Sequence, residues 1–412
     1  MLYRTIYVWV KSAIWLYFSK IEVHGLSNIP NNQPILLAVN HQNALLDALV
    51  VAVSLKRPVH FMTRADIFKK KTIGKILRAL NLIPIYRLRD GLEELEKNEQ
   101  IFDECNQLLA ENKIILIFPE GSHLYQRRLR PLKKGVARIA VGGVLAIKKD
   151  VFIVPVGINY ESHKHSCSWL NLSFGKPIST LELLEENGLN SSQTTHQLTE
   201  IISEKLKECI VNIEDKENYD FINLFSKINF QKSNENRNFI AQQQWVKKYN
   251  ELENSVKEEV ISKTKEYQKL WNKLALPPRQ MGKINNSISI FQILITPSYL
   301  LAYLLFLPAK LCYHKLISNF ADRQWEASIK VVSIMIFYPI WILCLLLAMF
   351  FLIPNYFLWA ALALFAFAIV FKFSKNSAEK ALFYLRIKAI RKKSEIYLLK
   401  KLELELQKIK IL

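Results

Sequence analysis

Cysteine is scarce in this chain, and the five that occur form no pattern. Cys105, Cys167, Cys209, Cys312 and Cys344 are scattered and odd in number. That argues against a disulfide framework and favours a reducing compartment. Zinc-type spacing of cysteines and histidines is absent, and no other metal-ligand spacing is evident, so no metal and no cofactor is expected. Acidic residues are in the minority, 36 against 56 Lys+Arg, for a net charge of +20. Such an excess calls for an anionic partner, either nucleic acid or lipid. The chain lacks the aromatic signature of RNA-binding modules, and its apolar residues concentrate toward the C-terminus, so no nucleic acid is expected and an anionic membrane lipid is favoured. No internal repeat is present. Residues 1–18 are apolar and aromatic with only Arg4 and Lys11 charged, yet no small-residue cleavage site follows. Tyr3, Tyr7, Trp9, Trp15 and Tyr17 favour the water–lipid boundary, so residues 1–20 read as an interfacial membrane helix.

What is present is a long alternation of buried strands and helices. Ile21–Gly25 alternates sides as a strand does. A Pro/Asn turn at Pro30-Asn31-Asn32 leads to the wholly apolar Ile35-Leu36-Leu37-Ala38-Val39. Further strands are expected at Val59–Met62, Ile83–Tyr86, Ile114–Phe118 and Val151–Val156, with helices over 92–112 and 134–148 between them. The pattern specifies an α/β fold with a mostly parallel central sheet flanked by helices, spanning about 21–225. A charged helical extension is expected over 226–285, a membrane region over 286–375, and a basic amphipathic helix over 376–412. Within the membrane region, Val331–Ile353 is long enough to cross a bilayer. A second apolar run, 356–373, follows Pro354-Asn355, and the two read as a transmembrane helical hairpin. Arg323 and Lys330 flank one side, and Lys372, Lys375 and Arg386 the other, which puts both flanks in the cytoplasm. Ile288–Leu307 is interrupted by Gln292 and Pro297; a third crossing would separate the α/β domain from those flanks, so an interfacial or re-entrant segment is expected there. The final stretch carries Arg386, Lys388, Arg391, Lys392, Lys393, Lys400 and Lys401 among Leu and Ile, as helices lying on anionic membrane surfaces do.

Two motifs carry chemistry. Asn40-His41-Gln42-Asn43-Ala44-Leu45-Leu46-Asp47 follows the apolar strand at 35–39, and pairs one imidazole with one carboxylate. That is the minimum equipment for taking a proton from a hydroxyl. Phe118-Pro119-Glu120-Gly121-Ser122-His123 follows the strand at 114–118 within the same domain.

These motifs, with Leu82-Ile83-Pro84-Ile85-Tyr86-Arg87 and Ile153-Val154-Pro155-Val156 in order, resemble the four blocks of the glycerolipid acyltransferases over roughly residues 20–180. The C-terminal hairpin and basic tail are similar to a longer bacterial branch of that family. The resemblance implies direct transfer of an acyl chain from a thioester to a glycerophospholipid precursor hydroxyl. His41 would be the base, and Asp47 would orient it. Arg87 would bind the acceptor's phosphate. Glu120 and Gly121 would position the glycerol phosphate, with Ser122 contributing hydrogen bonds. Two departures stand out: five residues separate His41 from Asp47 where the family has four, and His123 stands where the family has an arginine. Arg130 and Lys133 are the candidates to supply the missing positive charge.

The implied acceptor is lysophosphatidate, giving phosphatidate in phospholipid synthesis. Glycerol 3-phosphate and a lyso-aminolipid are the alternatives, and a catalytically inactive membrane scaffold is the reading from a different class. The donor would be acyl-CoA or acyl-carrier protein. The expected location is the inner (cytoplasmic) membrane, with the catalytic domain on the cytoplasmic face.

Overall fold

The computed structural model describes residues 2–86, 96–230, 239–285, 288–318, 323–390 and 392–409. The chain forms two compact units. The first holds Met1–Ile210 and Leu316–Met335, the second Val211–Lys315 and Ile336–Leu412.

The first unit is built on a sheet whose described strands are β1 (Lys20–His24), β2 (Ile35–Val39), β3 (Val59–Arg64), β4 (Leu82–Ile85), β5 (Ile114–Ile117), β6 (Phe152–Tyr160), β7 (Trp169–Phe174) and β8 (Ile178–Ser179). Their order is β1-β7-β6-β2-β5-β3-β4, with β8 also on β6. The ladders β2–β5, β2–β6, β3–β5, β3–β4 and β1–β7 are parallel. Only the β6 pairings with β7 and β8 are antiparallel. β2 and β5 sit centrally and are buried at every position, which is why they read as unbroken apolar runs.

Alternation along β2 divides the core in two. Ile35, Leu37 and Val39 face a cluster with Val10, Ile14 and Tyr17 of α1 (Leu2–Tyr17) and Leu46 and Val50 of α2 (Ala44–Ser54). Ala327 and Val331 join that cluster from a segment nearly three hundred residues downstream. Leu36 and Ala38 face the other layer. It is formed by α4 (Asn98–Ala110), α5 (Gly135–Ile147), α6 (Thr180–Glu186) and α7 (Ser191–Cys209), through Cys105, Leu109, Val136, Ala140, Leu183, Leu198 and Ile202. The helix α3 (Lys71–Ala79) differs from these: none of its residues is buried, and Ile73 and Ile76 are exposed.

Pro155 lies in the middle of β6, where a missing N–H would break a ladder. The strand resolves this by changing partners: β7 pairs with 156–160, β8 with 152–153, and Pro155 falls at the gap. Its carbonyl accepts the Gly175 N–H at 2.8 Å. The chain turns toward β8 there. The pair β7 and β8 has no counterpart in the sequence reading, because Trp169–Phe174 alternates too briefly to stand out among polar neighbours.

The second unit is helical. α8 (Tyr219–Phe230), α9 (Phe239–Asn250) and α10 (Asn254–Lys273) bury Ile222, Phe225, Val246, Tyr249, Val260, Tyr267 and Trp271. α11 (Ile290–Leu294), α12 (Thr296–Leu305) and α13 (Leu307–Ser318) follow. α14 (Glu326–Leu352) begins in the first unit and continues in the second. α15 (Phe357–Ala389) runs well past position 373, and α16 (Lys393–Lys408) is separate from it. The apolar face of α16 is covered: Leu399, Leu402 and Leu406 are buried, and its Glu403 accepts the Tyr267 hydroxyl at 2.6 Å.

Among the described residues, α14 is the single helix that is long and apolar enough by itself to cross a membrane. Two bent pairs, Ile290–Leu305 with Lys310–Ser318 at 66° and Pro354–Ile369 with Phe371–Ala389 at 49°, pass the same length and composition test when each is taken together. The segment expected to be interfacial or re-entrant, 288–307, overlaps the first helix of the first pair.

One backbone approach in the sheet admits no side chain. A Cβ on Gly157, in β6, would sit 1.9 Å from the carbonyl oxygen of Cys209 at the end of α7. Gly157→Ala is expected to destabilise the protein by about 3 kcal/mol or more, because two backbones must separate. Thermal unfolding in detergent checks this; a melting temperature equal to that of the parent protein would contradict it.

Candidate active site

The site forms where β2 and β5, adjacent and parallel, end on the same edge of the sheet. In open α/β sheets that carboxyl edge is where ligands bind. Asn40 closes β2 by pairing its amide with strand β6: Nδ2 donates to the Ile158 carbonyl at 3.1 Å, and Oδ1 accepts the Ile158 N–H at 2.6 Å. The next residue, His41, is thereby fixed at the strand's end.

His41 and Asp47 meet despite the five residues between them. His41 Nδ1 lies 2.8 Å from Asp47 Oδ2. The same oxygen accepts the N–H groups of Gln42 and Asn43, each at 2.7 Å. The other carboxylate oxygen, Oδ1, accepts the Tyr160 hydroxyl at 2.7 Å. Asp47 is fully buried in the first turn of α2. Its carboxylate therefore folds back over the helix's N-terminal end, where partial positive charge gathers. Ala44 takes φ +44°, a left-handed conformation that an alanine adopts at some cost.

From β5 comes the second half. The Phe118 ring stacks on the His41 imidazole, with centroids 3.9 Å apart and planes inclined by 12°. Glu120 is buried and holds three donors. Its Oε1 accepts the His41 backbone N–H at 2.7 Å, and its Oε2 accepts the Arg130 Nε at 2.8 Å and the Arg130 N–H at 3.2 Å. Burial pushes its carboxyl above the usual range, against the pull of the His41 N–H and Arg130. Gly121 adopts φ +72°, and its N–H closes a turn on the Phe118 carbonyl at 3.1 Å. Arg130 also donates to Ser122, through Nη1 to the hydroxyl at 2.7 Å and through Nη2 to the carbonyl. The Lys133 N–H donates to the Pro119 carbonyl at 2.7 Å, and its side chain lies beside Gly121.

The structure thus gathers His41, Asp47, Glu120, Gly121, Ser122, Arg130 and Lys133 around the ends of two neighbouring strands. Arg87 lies outside the described residues; β4, the strand before it, ends at Ile85. Tyr160 is a contributor that carries no signal in the sequence. It is the last residue of β6 and reaches Asp47 only because β6 lies beside β2. His163 Nε2 sits 2.9 Å from Gln42 Oε1, and its carbonyl accepts the Asn43 side chain at 2.9 Å. His123 stands edge-on to His41, with ring centroids 5.3 Å apart. Among the described residues no cluster of three or more potential metal ligands occurs. The chemistry available is proton transfer at an imidazole held by a buried carboxylate.

Comparison with known proteins adds to this geometry. Residues 20–159 match the acyltransferase family model. A chloroplastic 1-acyl-sn-glycerol-3-phosphate acyltransferase of Brassica napus is 26% identical over 151 residues, 36% of this chain and 40% of that protein. The 1-acyl-sn-glycerol-3-phosphate acyltransferase of Bacillus subtilis is 23% identical over 189 residues, 46% of this chain and 87% of its own length. The crystal structure of a 1-acyl-sn-glycerophosphate acyltransferase from Thermotoga maritima aligns with 50% of this chain and 78% of its own at 20% identity and a TM-score of 0.36. The match thus spans well under half the length of the plant relative, and about nine tenths of the shorter Bacillus protein.

The Tyr160 hydroxyl provides a direct check on the buried carboxylate. Removing it leaves Asp47 Oδ1 without this donor, in a place closed to water. Tyr160→Phe is expected to cost roughly 1.5–3 kcal/mol, the range for a bond to a charged group. Thermal or denaturant unfolding measures it, and a loss below about 0.5 kcal/mol would show that the bond does not form.

Proposed function

We propose, from the match of residues 20–159 to the acyltransferase family model, that the protein is a membrane-bound O-acyltransferase of phospholipid synthesis that converts lysophosphatidate to phosphatidate. The observation that carries this reading is the 2.8 Å contact between His41 Nδ1 and Asp47 Oδ2 inside the matched region. With Nδ1 committed to the carboxylate, Nε2 is the nitrogen left to take a proton. The acceptor hydroxyl oxygen bonds to the thioester carbonyl carbon as its proton passes to Nε2. The carbon–sulfur bond then breaks, and return of the proton to the departing sulfur restores the neutral imidazole. Asp47 holds the ring and stabilises the imidazolium formed on the way. No acyl-enzyme and no metal enters the scheme.

Glu120 acts in this scheme by fixing the His41 main chain and Arg130, and only through them the acceptor. Arg87, Lys133 and the donors of Arg130 not used on Glu120 and Ser122 supply positive charge for the acceptor's phosphate, a task that suits a guanidinium. Gly121 leaves room for the acceptor beside them. The donor is acyl-CoA or acyl-carrier protein; the latter is acidic and fits a chain of net charge +20.

A membrane setting is supported by α14 and by two helices of the first unit. α1 exposes Val8, Trp9, Trp15 and Leu16, and α3 exposes Ile73 and Ile76 next to Lys69, Lys70, Lys71 and Lys75. Apolar residues rimmed by lysines suit an anionic lipid surface. The charge flanks of the apolar segments favour the cytoplasmic face of the inner membrane for the catalytic domain.

The test uses the full chain in detergent, offered glycerol 3-phosphate or lysophosphatidate with acyl-CoA or acyl-carrier protein. Ester formation on lysophosphatidate is expected, and His41→Ala should reduce it by about a thousandfold or more without loss of folding. Unchanged transfer by a folded His41→Ala protein would exclude His41 as the base. Transfer to glycerol 3-phosphate alone would move the activity to the first glycerol position.

A further inference from the structure

The turn between His41 and Asp47 is finished by a residue far outside the matched region. Helix α2 starts at Ala44, and its N-cap residue, Asn43, makes no side-chain cap of its own. The Asn43 side chain is instead drawn to the His163 carbonyl. A helix start leaves its first four N–H groups without partners, and a buried one needs them supplied. The Leu46 N–H donates to the Asn43 carbonyl at 3.0 Å and is also met by Ser328, in the first turn of α14. Its Oγ accepts the Leu46 N–H at 3.1 Å and its hydroxyl donates to the Asn43 carbonyl at 3.2 Å. Ser328 is buried, so water does not compete for either bond. The two bonds straddle Ala44, the residue in the left-handed conformation.

The residues around Ser328 dock on the same wall of the site. The Gln324 carbonyl accepts the Tyr125 hydroxyl at 2.7 Å. The Trp325 ring stands edge-on to His123, with centroids 6.0 Å apart. Lys330 Nζ donates to the Lys164 carbonyl at 2.8 Å, and is also bonded to Glu326. Ala327 and Val331 are buried in the core behind α2. The segment 324–331 is thus attached through bonds to three different loops, and Ser328 is its contact with the turn that holds the pair.

We infer that Ser328 is a positioning residue for the His41–Asp47 pair, a cap supplied from the membrane-directed helix that holds the lengthened turn in its productive shape. This rests on His41 being the base. Without the hydroxyl, the start of α2 loses two of the bonds that oppose the strain at Ala44. Asp47 lies in the same helical turn, so the imidazole and carboxylate lose their register. Small displacements of reacting groups are costly in rate, on the order of a hundredfold for about 1 Å.

The experiment compares the full-length parent protein with Ser328→Ala in detergent, by kcat and KM for lysophosphatidate, by the pH dependence of kcat, and by the rate at which diethyl pyrocarbonate modifies His41, read by mass spectrometry. Ser328→Ala should lower kcat roughly tenfold to a hundredfold with KM within about twofold, and should change both the pH profile and the modification rate of His41. A merely structural serine would lower the melting temperature and leave these unchanged in the folded protein. Ser328→Thr, which keeps the hydroxyl, should recover most of the rate. Ala44→Gly in the Ser328→Ala background should recover part of it, because glycine takes a positive φ without strain. Should Ser328→Ala not fold, Ser328→Cys decides in its place, since it keeps the volume and weakens both bonds. A folded variant whose kcat, pH profile and His41 modification all lie within about twofold of the parent overturns the inference. If the parent protein transfers no acyl group at all, the acyltransferase reading fails by itself, and the His41 modification rates still decide on Ser328.

Discussion

A single buried carboxylate organises this site. Asp47 is closed to water, and an ionised group there is tolerated only if its lone pairs are filled. Four donors fill them: the His41 ring, two consecutive backbone N–H groups and the Tyr160 hydroxyl. The donors belong to three different parts of the local structure. The ring comes from the end of β2, the N–H groups from the turn, and the hydroxyl from the end of β6. Satisfying Asp47 therefore fixes the strand ends, the turn and the start of α2 relative to one another. That requirement explains why the turn tolerates a left-handed alanine: the bonds gained at Asp47 offset a local strain of about 1 kcal/mol.

Glu120 does the corresponding work from β5. It is buried, bonds the backbone of the residue that bears the imidazole, and retains Arg130 on its other oxygen. The two carboxylates thus grip His41 from its ring and from its main chain, while Phe118 covers one face of the ring. Such a histidine has little rotational freedom left. This suits a general base, whose efficiency depends on arriving already aimed.

Much of this was legible in the sequence. The wholly apolar Ile35–Val39 and Ile114–Phe118 could only be central strands, and their adjacency brings the two motifs together. The family blocks led to His41, Asp47, Glu120 and Gly121 because those residues follow strand ends directly. What the sequence did not carry were contacts made across the fold. Tyr160 touches Asp47 through the order of strands, and Ser328 reaches the turn from 285 positions beyond Asn43. Neither sits in a recognisable spacing. Arg130 looked like a free cation for phosphate; its nearest partners are Glu120 and Ser122, which only the folding of 118–130 into one loop could reveal. The basic C-terminal stretch resembled a surface helix by its charge, yet Leu399, Leu402 and Leu406 are enclosed by neighbouring helices of its own unit. Periodicity identified an apolar face there but not what covers it.

The proposed chemistry depends on Asp47 acting through its carboxylate. Asp47→Asn keeps the size of the side chain and replaces one acceptor oxygen by a donor, setting an N–H₂ against groups that are themselves donors. The decisive measurement is kcat for acyl transfer by folded Asp47→Asn protein. A fall of roughly a thousandfold to ten-thousandfold is predicted, as expected when a histidine base loses its orienting carboxylate. A rate within about tenfold of the parent would contradict it, and would mean that the imidazole is held and charged by something other than Asp47.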